Sequence, residues 1–543
     1  MMRDVTTLYE FIEKDNYKTL FPTNSIKVFS KYGLEEIIKF INEDILKKKE
    51  EISQAYFLAQ PWVYASKDRF HLRQTFQLDP IAQIFLYDFV FRNKNHFITT
   101  KLSGRESFGY SFNEDTNNSP SEDYKKFSEK LIELKRKYNF YGKIDISNCF
   151  NNIYHHDVVS FIARLINQVE SAKLGTFLTQ INEGRSTSCM PQGLFPAKVI
   201  GNFFLSFVES SRELNSEFVI RFMDDIYFFS DFREKIVDDI FIIQKLIGEK
   251  GLSLNEEKTF IQKIDDNEEY IGDMKQTLLD KRRSIINTYT IDEFDDDDSE
   301  NRIVLSDDEI EYLTQMLHEK NLEEKDIELI LTLLSAGEED LLYLMEVVLN
   351  DSPHLMNKLY LNLSRNNVLS FKAIELIEKY LDNNNIQEFV LFWLCKIVTD
   401  LTVINEYTAD ILFKIYKHTS ITNVVKCLIL ELQDNNYGFL ELKRKITRGH
   451  SPELIISAMV GLISHEKGNR NKIYGYVGRT HPMMRTLTKV LSRLEPHDVE
   501  NLFRNDEQRF EYTNNGSDEL NPFIIHQEET SGGIIIDDDD LPF

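Results

Sequence analysis

The segment Val219-Ile220-Arg221-Phe222-Met223-Asp224-Asp225-Ile226-Tyr227-Phe228-Phe229 constrains the fold of this chain more than any other. The apolar runs on either side read as two short strands, spanning 217–230, around a tight turn that carries two adjacent acids. Two carboxylates held together in apolar surroundings are costly unless something neutralises them. A divalent cation would do so, and Mg²⁺ prefers carboxylate oxygens together with the phosphates of a substrate. An Asp-rich hairpin turn with no ligand shows the same local pattern, so the dipeptide alone decides nothing.

A second segment adds weight. Lys143-Ile144-Asp145-Ile146-Ser147-Asn148-Cys149-Phe150 places one acid at the end of an alternating strand, Phe140 to Ile146. A two-metal site needs carboxylates from separate segments to hold ions about 3.5–4 Å apart. Asp145 and Asp224 meet that need if their strands are neighbours. Taken alone, Asp145 could equally be a helix N-cap.

Together these segments resemble the palm of reverse transcriptases. Asp145 with Phe150 five residues later matches the first palm motif, and Met190-Pro191-Gln192-Gly193 the second. Phe222-Met223-Asp224-Asp225 matches the third, an aromatic, any residue and two Asp, and Leu252-Ser253-Leu254-Asn255-Glu256-Glu257-Lys258-Thr259 the fourth. The order and spacing agree over roughly residues 55–275. The resemblance implies that Asp145 and Asp224 hold two Mg²⁺ ions (Mn²⁺ being the alternative), that the Ile146 carbonyl completes one metal shell, and that Asp225 supports the site. It implies that Phe150 excludes a ribose 2′-hydroxyl, that Gln192 and Gly193 line the incoming deoxynucleoside triphosphate, and that Lys258 assists pyrophosphate departure. Simple core packing, an ordinary turn and a solvated lysine are the plain alternatives for Phe150, for Gln192 with Gly193, and for Lys258. Trp62, Lys67, Arg69 and Arg73 form an aromatic-basic cluster. In the family such residues grip the triphosphate, so Arg69 and Arg73 are candidates, set against a merely charged surface. His155-His156, the only adjacent His pair, reads as a solvated helix start rather than a metal site.

The rest of the chain reads as helix. A length of 543 residues suggests two to four domains. Residues 1–60 form an N-terminal helical segment, with apolar residues at helical spacing between Leu34 and Leu46, and residues 61–285 the fingers and palm. Seven of the nine residues Asp292–Glu300 are acidic, marking a solvated linker at 286–305. Helical spacing then recurs near 306–319, 325–336, 338–350, 370–382, 386–401, 405–417, 421–434 and 452–465, opened by a Ser306/Glu309 capping box. Residues 306–512 thus read as an all-α domain, a HEAT-like array or a plain bundle, followed by an acidic tail at 513–543. The fold class is α+β, a right-hand fingers-palm core followed by helical repeats.

Charge and layout refine the expectation. Residues 1–285 hold 39 Lys and Arg against 42 Asp and Glu, whereas residues 286–543 hold 24 against 47. The C-terminal half is therefore expected to be a poor phosphate binder and a better scaffold or protein-docking surface. Four widely spaced cysteines argue against zinc and disulfides and for a reducing cytoplasm, and no stretch suits a membrane span or a secretory signal. A long acidic helical region after the palm resembles the abortive-infection and defence-associated bacterial reverse transcriptases. That resemblance implies anti-phage DNA synthesis, a protein hydroxyl as primer, no conventional template, and a homo-oligomer. The partners it implies are deoxynucleotides and nucleic acid (a DNA product, with or without an RNA template). The alternatives are a retron-like enzyme templated by a dedicated non-coding RNA, and a helical scaffold whose palm has lost activity.

Overall fold

The computed structural model describes residues 5–503 apart from 17, 48–54, 100–101, 113–119, 186–188, 265–273, 276–277, 280–304, 320–321, 335–336 and 367–368. The acidic run at 292–300, the tail from 513 and most of the loop at 113–123 lie outside the described residues. The chain divides into two compact units that are not contiguous in sequence. One comprises residues 1–55, 62–81 and 310–543, and the other residues 56–61 and 82–309. The linear division read from sequence, with limits at 60, 285 and 305, runs differently. It assigned the N-terminal helices to a segment of their own and residues 62–81 to the polymerase core.

In the first unit the N-terminal helices Val5–Asn16, Asn24–Tyr32 and Leu34–Phe40, the last extended by a wider turn over Ile41–Ile45, pack with the C-terminal helices. A buried acid explains the attachment. Glu431 accepts from the backbone N–H groups of Asn24 (2.6 Å) and Ser25 (3.2 Å) and from the Ser457 hydroxyl (3.1 Å). It thereby satisfies donors that the first turn of a helix leaves open, at the positive end of the helix dipole. Phe21 adds edge contacts to Phe389 and Phe392 at centroid distances of 5.7 and 5.1 Å. Strands β1 (Trp62–Ser66) and β2 (Leu72–Phe76) form an antiparallel hairpin in the same unit, with Trp62 opposite Phe76. Its Tyr64 N–H donates to Glu388 at 2.7 Å.

The C-terminal helices follow the apolar spacing closely: Asp307–Leu317, Glu324–Leu333, Glu338–Asp351, Phe371–Tyr380, Glu388–Leu401, Glu406–Tyr416, Asn423–Leu430 and Pro452–Gly461. The capping box forms as expected, with the Ser306 N–H on Glu309 at 2.7 Å and the Glu309 N–H on Ser306 at 3.3 Å. Helices Met356–Asn366, Phe439–Ile446, Lys467–Val477, Pro482–Leu491 and Pro496–Phe503 were not among those read from spacing.

The second unit is built on a five-stranded sheet of β3 (Arg105–Phe108), β4 (Phe140–Asp145), β5 (Phe218–Phe222), β6 (Asp225–Ser230) and β7 (Phe260–Lys263), in the order β3-β5-β6-β4-β7. Only β3 and β5 run parallel. One face of this sheet meets the helix Pro120–Lys137 through a cluster of buried Phe108, Phe127, Leu134, Ile220 and Phe229. Each such side chain contributes roughly 1.5–3 kcal/mol by leaving water. The other face takes the helix Arg233–Gly248. A Cβ on Gly142 of β4 would stand 2.6 Å from the Ile236 side chain, so only glycine permits this approach. The mixed α+β class agrees with the sequence reading for this unit. Among the described residues, no helix is long and apolar enough to cross a membrane.

Candidate active site

The register of the sheet brings the two acidic segments together. Strand β4 lies between β6 and β7, and Asp145 at its end stands opposite Asp225, the first residue of β6. The expected strand-turn-strand at 217–230 forms: Phe222 pairs with Asp225 and leaves Met223 and Asp224 as a two-residue turn. Asp224 therefore reaches the end of β4. Burial pushes its carboxyl above the ordinary aspartate range, and the nearby charges of Asp145 and Asp225 push in the same direction, partly offset by its own N–H and by Lys258. Burial together with Asp224 and Asp145 also raises the Cys149 thiol. The register thus sets Asp145 and Asp224 at one partly desolvated end of the sheet, where a divalent cation would offset their charge.

The fourth motif closes the other side of Asp145. The Asn255 N–H donates to the Asp145 carbonyl at 2.8 Å, and the Ser147 N–H donates to the Ser253 carbonyl at 2.8 Å. These two bonds flank the bridge between Ile146 and Leu254, so the Ile146 carbonyl itself points away from this segment, toward the β6 side. The Asn255 side chain donates to the Asp145 carboxylate at 3.2 Å, and the half-exposed Lys258 places its ammonium 3.4 Å from the other oxygen. Asp225 is held differently. Lys143, two residues before Asp145 on the same face of β4, pairs with it at 2.8 Å. Burial works against the Lys143 charge, yet the Asp225 contact holds the ammonium above its usual range. Asp225 is thereby engaged, and Asp145 with Asp224 remains as the carboxylate pair. Among the described residues no group of three or more His, Cys, Asp or Glu side chains is arranged to hold a metal. The fit is to two carboxylates and one backbone carbonyl, with substrate oxygens completing the shells.

Phe150, in the short helix Cys149–Asn152, lies against the helix Phe195–Phe204 at Gly201. A Cβ there would come within 2.7 Å of the ring tip. The second motif is stitched to this helix by the Met190 N–H on the Phe150 carbonyl (2.9 Å) and by the Gln192 amide on Asn151 (2.8 Å). Gly193, at φ 98°, takes the left-handed conformation that its residue type allows. Gly201→Ala should tilt the Phe150 ring. A fall in melting temperature from overpacking of about 1–3 kcal/mol, with an altered preference between deoxy- and ribonucleotides, is the expected outcome, and an unchanged protein on both measures would refute the contact.

One sequence expectation is corrected. His155 is not solvated: it is buried, and its Nε2 lies 2.8 Å from the carbonyl of Cys189, a residue at φ 94° just before the second motif. His156 is the exposed member and lies beside Asp157. Arg69 and Arg73 sit on the β1–β2 hairpin of the first unit, where Arg69 pairs with Asp351 at 3.0 Å.

Arg221 escaped the sequence reading, which took it as one member of an apolar strand. It is buried, and its guanidinium makes five hydrogen bonds: two to Glu209 (both 2.7 Å), two to Asn202 (2.8 and 3.0 Å) and one to the Met223 carbonyl (2.9 Å). Met223 has φ 55°, a strained value for a side chain of its kind, and it precedes Asp224 directly. Arg221 therefore grips the turn that presents the acid. A charged residue inside an otherwise apolar strand was the available signal.

Residues 84–315 match the family model described as reverse transcriptase (RNA-dependent DNA polymerase), so a domain of this kind is present in that part of the chain. No curated protein matches the chain. Among solved structures, the apo telomerase of Candida tropicalis is similar at 10% identity and TM-score 0.29, over 85% of this chain and 73% of that one. The telomerase of Candida albicans in complex with a fragment of telomeric RNA is similar at 12% identity and TM-score 0.28, over 78% and 69%.

Proposed function

We propose that this chain is a DNA polymerase that adds deoxynucleotides with two Mg²⁺ ions held by Asp145, Asp224 and the Ile146 carbonyl. The observation that carries the reading is the strand register that sets Asp145 opposite Asp225, next to Asp224 in the β5–β6 turn, inside the region matched as reverse transcriptase. When bound, such ions lower the pKa of an attacking hydroxyl and stabilise charge on the transferring phosphoryl group. Asp225 and Lys143 neutralise each other and fix the strand ends. Lys258 lies where a cation can accompany departing pyrophosphate, and Asn255 orients Asp145. Phe150, seated against Gly201, is the ring assigned to exclude a 2′-hydroxyl, and Gln192 and Gly193 are assigned to line the nucleotide.

The finer reading is an anti-phage bacterial enzyme of the abortive-infection kind, cytoplasmic and oligomeric, that primes from a protein hydroxyl without a conventional template. The long helical region supports it, read as a HEAT-like array of helices joined by short turns. The free, buried cysteines fit a reducing compartment. The test is incorporation of labelled deoxynucleotide by the purified chain with Mg²⁺, followed by protease digestion and sequencing of any DNA that stayed attached. Phe150→Ala should keep this synthesis and admit ribonucleotides at least tenfold more readily. A parent that incorporates nothing would end the polymerase reading, and unchanged sugar selection would end the role of Phe150.

A further inference from the structure

We propose that the helices Lys467–Val477 and Pro482–Leu491 carry a single-stranded nucleic-acid binding face. Residues 467–493 contain seven Lys or Arg and no Asp or Glu, within a half of the chain that is otherwise strongly acidic. Four of the seven are compensated. Lys467 and Arg470 pair with Glu495, Arg493 pairs with Glu36, and Lys489 lies in the field of Glu36. The side chains of the other three, Lys472, Arg479 and Arg485, are exposed and make no ion pair among the described residues.

Geometry gathers these three. Lys472 and Tyr476 are one turn apart on the first helix, and Arg479 follows at its end, i, i+4 and i+7 on one stripe. Gly478 presses this helix end against the second helix: a Cβ there would lie 2.6 Å from the Thr488 hydroxyl and 3.6 Å from the Arg485 Cα. Arg479 and Arg485 are therefore neighbours across the two helices. Tyr476 is 58% exposed between the cations, beside Gly475, where a Cβ would meet nothing within 4 Å. Free cations that meet phosphates, with an accessible ring on which a base can stack, are the elements of single-strand recognition. An acidic protein would use the cations but has no need of the open ring. The proposal rests on the polymerase reading only for its choice of partner, since a polymerase handles a strand of this kind.

The test is binding of a labelled oligodeoxythymidylate to the full chain at several salt concentrations, without nucleotides. The face variant is Lys472→Gln/Arg479→Gln/Arg485→Gln. Its control, Lys372→Gln/Lys379→Gln/Lys417→Gln, removes the same charge from exposed positions elsewhere in the unit. The face variant should bind at least tenfold more weakly, with the salt slope reduced by roughly 2, about 0.7 per lost phosphate contact. Tyr476→Ala should weaken binding roughly fivefold or more with the slope unchanged. Melting temperatures should stay at the parent value, because all four side chains are exposed. A face variant that binds like the parent, or a control that weakens binding equally, overturns the proposal. Asp224→Asn separates the two readings: it should abolish synthesis and leave this binding intact.

Discussion

An Asp224→Asn chain should lose deoxynucleotide addition by at least about 10²-fold and yet melt on the order of 2 °C above the parent in metal-free buffer. The opposite signs follow from one cause. Burial and the neighbouring Asp145 and Asp225 make the ionised Asp224 unfavourable, and its pKa stands above the ordinary value. Well below the unfolded aspartate pKa of about 3.9 the carboxyl is neutral in both states, and the two proteins should melt alike. As pH rises past that value, the parent must ionise a group that the fold disfavours. The gap then opens and levels off above the raised folded pKa. Added Mg²⁺ should raise the melting temperature of the parent, because it binds the folded state alone, and should move Asp224→Asn much less. Calorimetry across pH, with and without Mg²⁺, reads all of this without relying on activity. A variant that melts below the parent at neutral pH without metal would refute the desolvated carboxylate pair. Synthesis at the parent rate would refute the site.

Much of the second unit was legible because its chemistry is local. Alternation across Phe140–Ile146 and the apolar runs on either side of Asp224-Asp225 mark strands, since each has a buried face to fill. The turn acids and the fourth motif then fell beside each other through the order of the sheet. The helices after 306 were legible for the same reason. What failed was anything that depends on partners far apart in sequence. Glu431 reads as an ordinary helix-end acid until the first turn of Asn24–Tyr32 is seen on it, about 400 residues away. His155 looked solvated beside His156 because adjacent helix positions point in different directions, and one of the two faced the core. The uncompensated cations of 467–493 vanished into a sum dominated by acids elsewhere.

The second large effect concerns Arg221. Arg221→Met should cost about 3–5 kcal/mol, because it leaves Glu209 buried without its cation. Arg221→Met/Glu209→Leu should recover most of that loss, since removing both charges removes the penalty as well. Stability alone would mark Arg221 as a core residue and nothing more. The contact to the Met223 carbonyl claims more: that the guanidinium holds a left-handed residue, costing about 1–3 kcal/mol, so that Asp224 points at the end of β4. Arg221→Lys keeps a charge for Glu209, but its single ammonium has three donors where the guanidinium makes five hydrogen bonds. It should fold, bind nucleotide with a KM near the parent's, and lose kcat by tenfold or more as the turn loosens. Adding Met223→Gly removes the cost of the left-handed conformation, since glycine takes it freely, and should restore part of kcat without restoring the lost hydrogen bonds. A purely structural Arg221 predicts the reverse, with kcat following the melting temperature through the whole series and glycine at 223 doing nothing for it. Steady-state kinetics and thermal melts on Arg221→Lys, Met223→Gly and the double variant separate the two, because only the positioning role makes the glycine help more in the lysine background than in the parent.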